Sequence, residues 1–378
     1  MTARTTHFRV DNGDMTLIET ENGRRILIDC NIRAAANDED DETPDVATQL
    51  RDRLKRDGAG RLYVDAFLLS HPDKDHCLGV KQHFHLGPLS DWSKPADKIV
   101  IREMWSSPIV FRRASKNHVL CDDAKAWSSE ARRRANQHKS LGYCPEGERI
   151  KILGEDINGK TDDLTAILVK VDNEFTTIDG NPDWSFSARL IAPLPAADEQ
   201  EDDELSKNES SVILNVHLLK FGQSGAKFLF GGDAEVAIWE RVWERNKNRS
   251  SVLAYDVLLA PHHCSWHSLS WDSWSDFGEE AEVSQDARSA LSQATDGAKV
   301  LASSKEILDD ENDPPCIRAK REYEAIVKDA KGEFRCIADG AGDDPYELEI
   351  TSGGVKPKAK TSVSVSRTGL GSQPYEHG

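Results

Sequence analysis

No stretch of about 20 consecutive apolar residues occurs in this 378-residue chain, which argues against a transmembrane helix and against membrane contact. The opening residues, 1–14, carry no apolar core of the kind a secretory signal needs. Cysteine is sparse as well. There are seven, an odd number without tight spacing, which points to reduced thiols and a cytoplasmic location and away from a disulfide framework. Cations are in deficit, 48 Lys and Arg against 66 Asp and Glu, for a net charge of −18. That balance excludes a protein that coats DNA by bulk charge, because phosphate binding draws on Lys and Arg. No internal repeat is visible, and the strict strand–helix alternation of a doubly wound sheet is absent.

What is present is enough for a large core: 38% hydrophobic residues in a length that suits one large domain or two ordinary ones. Two acidic runs, Asp38–Glu42 and Asp198–Glu204, lack apolar periodicity and read as solvated loops. From about Val355 the chain turns Lys-, Ser-, Thr- and Gly-rich, which predicts a flexible tail over 351–378 after a single domain over 1–350. Asn22-Gly23 between two apolar runs predicts a hairpin, Met15–Glu19 with Arg25–Asp29. Strands are expected at Leu62–Leu69, Phe186–Ala192, Ser211–Leu219, Lys227–Phe230, Asp256–Ala260 and Lys299–Leu301. Helices are expected near Val46–Leu54 and at His76–Phe84, Ala124–Gln137, Val236–Asn246 and Cys316–Lys328. This mixture suggests an α/β protein with two packed sheets flanked by helices. One region stands apart. Lys98–Lys139 holds ten cations against four anions, +6 within a chain of −18, and reads as a basic, helical insertion over about 92–150.

The strongest chemical signal is Ser70-His71-Pro72-Asp73-Lys74-Asp75-His76, two histidines and two aspartates directly after an apolar strand. Imidazole and carboxylate are the ligands that hold Zn²⁺ or Mn²⁺. Four such groups in one small volume are costly unless a cation offsets them. Two further apolar runs end alike, one in Gly231-Gly232-Asp233 and the other in Pro261-His262-His263-Cys264-Ser265. Three strand ends each deliver ligand-type side chains, a placement common for enzyme sites.

These motifs together resemble the metallo-β-lactamase fold superfamily, and among its members the soluble hydrolase domain of ComEC-type DNA-uptake proteins. His71, Asp73, Asp75 and His76 resemble its HxDxDH pattern. Val10–Asp14, Leu27–Cys30 and Asn208–Leu214 resemble its VGQGD, LIDxG and NxxSxVL segments. Gly231-Gly232-Asp233 and His262–Ser265 resemble its GD and HHGS motifs. The resemblance implies an αββα sandwich with two divalent metal ions. His71 and Asp73 would hold one, Asp75, His76 and His263 the other, with Asp233 bridging and His262 a ligand or neighbour. It implies a metal-bridged hydroxide as nucleophile, with Asp75 able to hold it in line. Asp73 stands where the wider superfamily has histidine, so Mn²⁺ competes with Zn²⁺. Cys264 replaces the glycine of HHGS, and inert packing is its expected role. The mid-chain histidine ligand has only His118, His138 and His217 as candidates, and Asn312–Pro315 lies where relatives place a late histidine. One of the two metal sites therefore lacks an expected ligand.

The resemblance tilts the substrate towards DNA or a nucleotide, and so does the basic segment, whose Arg132-Arg133-Arg134 could grip phosphate. Packing of that helix against an acidic neighbour, within this chain or on a partner protein, reads equally well. Trp266 and His267 could stack on a base beside the site, or the tryptophans could cover the core. The expected function is a metal-dependent phosphodiesterase or nuclease. Two alternatives stand beside it: an ester, thioester or lactam hydrolase of the same fold, and a binding subunit with a structural metal site.

Overall fold

A computed structural model describes residues 2–38, 40–111, 120–155, 159, 161–194, 210–221, 223–340 and 342–359. The chain is a mixed α/β protein built around two large mixed sheets of eleven and seven strands. In the larger sheet Leu62–Leu69 lies parallel to Arg25–Ile28 on one side and to Ile99–Ser106 on the other. The expected hairpin forms, with Thr16–Glu19 antiparallel to Arg25–Ile28. In the smaller sheet Phe186–Ala192, Ile213–Lys220 and Gln223–Phe230 run antiparallel in turn. Tyr255–Leu259, Ala294–Ala302 and Glu333–Cys336 then continue it in parallel.

The period-two alternation of strand side chains divides the interior into three apolar clusters. Along Leu62–Leu69, Ala66 and Leu68 point one way and join Ile18, Ile28 and Trp105 with Phe186, Leu214, Val216 and Phe228 of the other sheet. Phe67 and Leu69 point the opposite way and meet Val46, Leu50, Trp127 and Ala131, all helical. On the far face of the smaller sheet, Leu229, Leu258 and Val300 pack with Trp239, Val242, Tyr323 and Ile326 from two further helices. No helix among the described residues is long and apolar enough to cross a membrane.

Three expectations change. The segment over 92–150 is no appendage, because Ile99–Ser106 pairs with Leu62–Leu69 and with Arg149–Leu153 inside the sheet. Its charged pair hid it: Glu103 is buried against Lys151 at 2.8 Å and Trp105 Nε1 at 2.8 Å, and Arg102 lies 3.4 Å above the Tyr63 ring. The sheet also runs past residue 350, since Gly354–Pro357 pairs antiparallel with Tyr346–Thr351. The rest of the expected tail, 360–378, lies outside the described residues, as does the acidic run 198–204. The single helix expected at His76–Phe84 is two short ones, Lys74–Cys77 and Val80–His83. Gly79 breaks it at φ +91°, and a Cβ there would lie 2.8 Å from that of Ile32.

Candidate metal centre

Parallel pairing of Gln223–Phe230 with Tyr255–Leu259, register Phe230 to Leu259, releases their following loops at the same sheet end. Asp233 and His263 leave from there. His71 and His76 follow Leu62–Leu69 in the other sheet, and a backbone bond from Val212 to the Ser70 carbonyl at 3.0 Å ties the two edges together. The result is a buried set of four: Asp14, His76, Asp233 and His263 each offer a ligand atom, all within 4.8 Å of one another. That set could hold a metal ion.

Distances within it are short. His76 Nε2 lies 2.9 Å from Asp233 Oδ1 and 3.3 Å from His263 Nε2. His263 Nδ1 lies 3.5 Å from Asp14 Oδ1, and its Nε2 3.1 Å from Asp75 Oδ2. His71 Nε2 and His262 Nε2 approach Asp233 at 3.5 and 3.8 Å. Outside this ring Asp29 fixes the orientation: it accepts from the Ser70 hydroxyl at 2.7 Å and faces His76 Nδ1 at 2.9 Å. With Nδ1 protonated towards Asp29, the His76 Nε2 lone pair is directed into the cluster. Ser70 Oγ does the same for His71, 3.1 Å from its Nδ1.

Donor set and environment fit a divalent cation. His71 Nε2, Asp14 Oδ1, Asp233 Oδ1 and His263 Nδ1 are buried without an aligned hydrogen-bond partner. Buried polar atoms are rarely left this way, and four converging ones mark a place for a ligand. Electrostatics agree. Burial opposes charge on His263, yet Asp233, Asp14 and Asp75 outweigh it and push its pKa up to about 10. Burial likewise opposes charge on His76, but Asp233 and Asp29 raise it well above the usual histidine range. Asp233 and Asp75 resist their own burial and are held well below the usual carboxylate range by His76 and His263. Carboxylates that retain protons on buried imidazoles would bind a competing metal cation in their place.

The loop geometry is costly. His262, His263 and Cys264 all take left-handed backbone angles, φ 50°, 53° and 68°, at about 1–2 kcal/mol for each L-residue. Cys264 is fully buried in the apolar cluster and its thiol pKa is raised by that burial, which suits packing and not metal binding.

Of the expected ligands, His76, Asp233 and His263 converge. His71, His262 and Asp75 border them, and Asp73 stands at the start of the short Lys74–Cys77 helix, outside the set of four. Among the mid-chain candidates, His138 sits beside Cys144 and His217 opposite Lys227; His118 lies outside the described residues. Asp14 is the member of the set of four that the sequence reading left without a role. Its signal was Gly13-Asp14 in a tight loop: a Cβ on Gly13 would fall 2.1 Å from Asn31 Nδ2 and 2.8 Å from the Asp75 carbonyl, so only glycine seats Asp14 there.

Of the expected substrate contacts, Arg134 and Trp266 are buried, while Arg132 is exposed and His267 half-exposed. Arg134 is buried, with bonds to Glu130 Oε1 at 2.7 Å and to the carbonyls of Ile101 and Arg149. Arg133 joins Glu130 to Glu148 at 2.7 and 2.8 Å, and Arg132 Nε donates to the Val110 carbonyl at 2.5 Å. Arg134 thus fastens its helix to the sheet, and Arg132 and Arg133 tie it to the flanking loops. Trp266 is fully buried in the core, while half-exposed His267 faces Asp313 at 3.8 Å. Compared with known proteins, the chain matches no family profile and no curated sequence.

Proposed function

We propose that this chain is a metal-dependent phosphodiesterase or nuclease of the metallo-β-lactamase type, its three apolar clusters separating the layers of an αββα sandwich. One observation carries the reading: four buried ligand atoms, brought from separate strand ends to within 4.8 Å, at the edge where the two sheets meet. Asp14, His76, Asp233 and His263 would hold the first ion, and His71, His262 and Asp75 border a second position against Asp233. Bound Zn²⁺ or Mn²⁺ would bring the pKa of water near neutrality and offset charge developing on a phosphoryl oxygen.

The chain's own groups divide the remaining work. Asp29 and Ser70 hold the imidazoles of His76 and His71 in one orientation. Asp75 is the exposed member, 38% accessible at the side chain, with one oxygen on His263. Kept ionised by His263 and His76 against its burial, it can accept a hydrogen bond from an incoming water and orient it.

The test is hydrolysis by metal-loaded protein of bis(p-nitrophenyl) phosphate, single-stranded DNA, RNA and cyclic nucleotides, beside Asp75→Asn. The expected result is metal-dependent cleavage of at least one, reduced about 10²–10⁴-fold in the variant. Intact phosphodiesters with Zn²⁺ and with Mn²⁺ would end this reading. Turnover of an ester, thioester or lactam in the same experiment would replace it.

A further inference from the structure

Several cavities open on the described surface. One, about 490 Å³, is lined by Glu240, Asp272, Glu282 and Asp286 and repels anions. Another, about 330 Å³, carries charges of both signs, among them Arg53 and Lys358 paired with Glu347 at its wall. A third, about 390 Å³, differs from both. It borders the metal centre through Asp75, and its walls carry Asn12, Arg33, Lys74 and Lys305.

The frame of this cavity is fixed. Asn12 donates to the Pro314 carbonyl at 3.0 Å and accepts from the Lys305 amide at 3.0 Å. Asn31 Nδ2 donates to the Val10 carbonyl at 3.1 Å, and the Ser303 hydroxyl to the Gly13 carbonyl at 2.6 Å. Asp11 is neutralised by Arg33, and Asp75 is turned towards His263. Lys74 and Lys305 are exposed, and neither ammonium has an ion-pair partner among the described residues. Two exposed cations without ion-pair partners among the described residues, lining one recess beside a candidate metal centre, suit a phosphate group.

We infer that this cavity is a subsite for a second phosphate of a nucleotide-class substrate, gripped by Lys74 and Lys305 while the reacting phosphate lies at the metal centre. The inference rests on the phosphodiesterase reading and narrows it: the substrate is a nucleotide unit with a neighbouring phosphate, and a lone phosphodiester lacks half of the contacts.

Calorimetry on metal-loaded protein compares thymidine 3′,5′-bisphosphate with thymidine 5′-monophosphate and inorganic phosphate. In the wild type the bisphosphate binds about a hundredfold more tightly than either. Lys74→Gln and Lys305→Gln each reduce that advantage about tenfold, in line with a charge-assisted hydrogen bond, and the double variant removes it. Lys331→Gln, at an exposed pair with Asp296 remote from the cavity, changes nothing. Equal affinity for bisphosphate and monophosphate in the wild type overturns the inference, and so does an advantage that survives in a folded double variant. The two readings fail separately. A bisphosphate advantage in a protein that cleaves no phosphodiester keeps the subsite and removes the hydrolase, and cleavage without the advantage does the reverse.

Discussion

Two of the groups of buried charge among the described residues are built on opposite plans. Around Arg134, two arginines meet two glutamates: Glu130 accepts from Arg133, Arg134 and the Gly87 amide, and Glu148 from Arg133 and the Leu89 amide. The group is electrically balanced, and its donors and acceptors are matched. Around Asp233, carboxylates and imidazoles crowd together with four buried atoms unmatched, and protons are retained only because neighbouring aspartates demand positive charge. The first group is complete and acts as a fastener. The second is a set that a metal cation would complete. Availability, set by a charge's partners and not by its density in the sequence, separates structure from chemistry here. By the same rule Lys74 and Lys305, exposed and without an ion-pair partner among the described residues, are more available to phosphate than the paired Arg133 and Arg134.

The largest expected effect breaks the closed group. Arg134→Leu leaves Glu130 buried beside a lost partner and costs about 3–5 kcal/mol, read from urea unfolding, equally with chelator or with metal. A loss no greater than about 1 kcal/mol, the level of a surface pair, would erase the distinction between the two groups. The open group responds to metal instead. Zn²⁺ or Mn²⁺ at a hundred times its Kd should stabilise the chelated protein by about 2.7 kcal/mol, and Asp233→Asn should abolish that gain. If thermal melts with and without metal coincide, the open group needs another explanation. Gly13→Ala lies between the two in kind. The added methyl meets Asn31 and the Asp75 carbonyl, at a cost of about 1–3 kcal/mol. By displacing Asp14 it should also weaken metal binding about 10–100-fold in chelator competition. Unchanged metal affinity there would remove Asp14 from the ligand set.

Legibility followed locality. Leu62–Leu69, Phe186–Ala192 and Val236–Asn246 could be read to the residue, because each is an apolar run or a 3.6-residue pattern with polar ends. Ile99–Ser106 was lost because its pattern is interrupted by Arg102 and Glu103, whose partners Tyr63 and Lys151 lie on neighbouring strands. At the site, the ligand-type residues clustered in short motifs were visible: His76, Asp233 and His263 all converge. Asp14 and the orienting Asp29 were not assigned roles, since each acts across the sheet on a residue far along the chain. The arginine triplet was open to two readings, a phosphate grip and packing on an acidic neighbour, and Arg133 and Arg134 follow the second. Their partner Glu130 sits three and four residues upstream, within helical reach, and was available to the reading.

The smallest predicted effect concerns a buried histidine that belongs with the closed group in spirit. His7 is buried between the hydroxyls of Thr5 at 3.0 Å and Thr16 at 3.1 Å, with no carboxylate among the described residues supporting a charge on it. Burial lowers its pKa from 6.5 to about 3, the opposite of what happens at His76 and His263. A histidine depressed in the folded state stabilises above its unfolded pKa and loses that contribution as pH falls from about 6.5 towards 3. At pH 5.5 the loss is about one pKa unit, about 1.4 kcal/mol. Metal-loaded His7→Gln lacks this titration, so the stability gap between wild type and variant should shrink by that amount between pH 7.5 and pH 5.5. Urea midpoints at the two pH values measure it. A gap independent of pH would mean that His7 gains a proton inside the fold, and that burial without a carboxylate does not suffice to keep an imidazole neutral here.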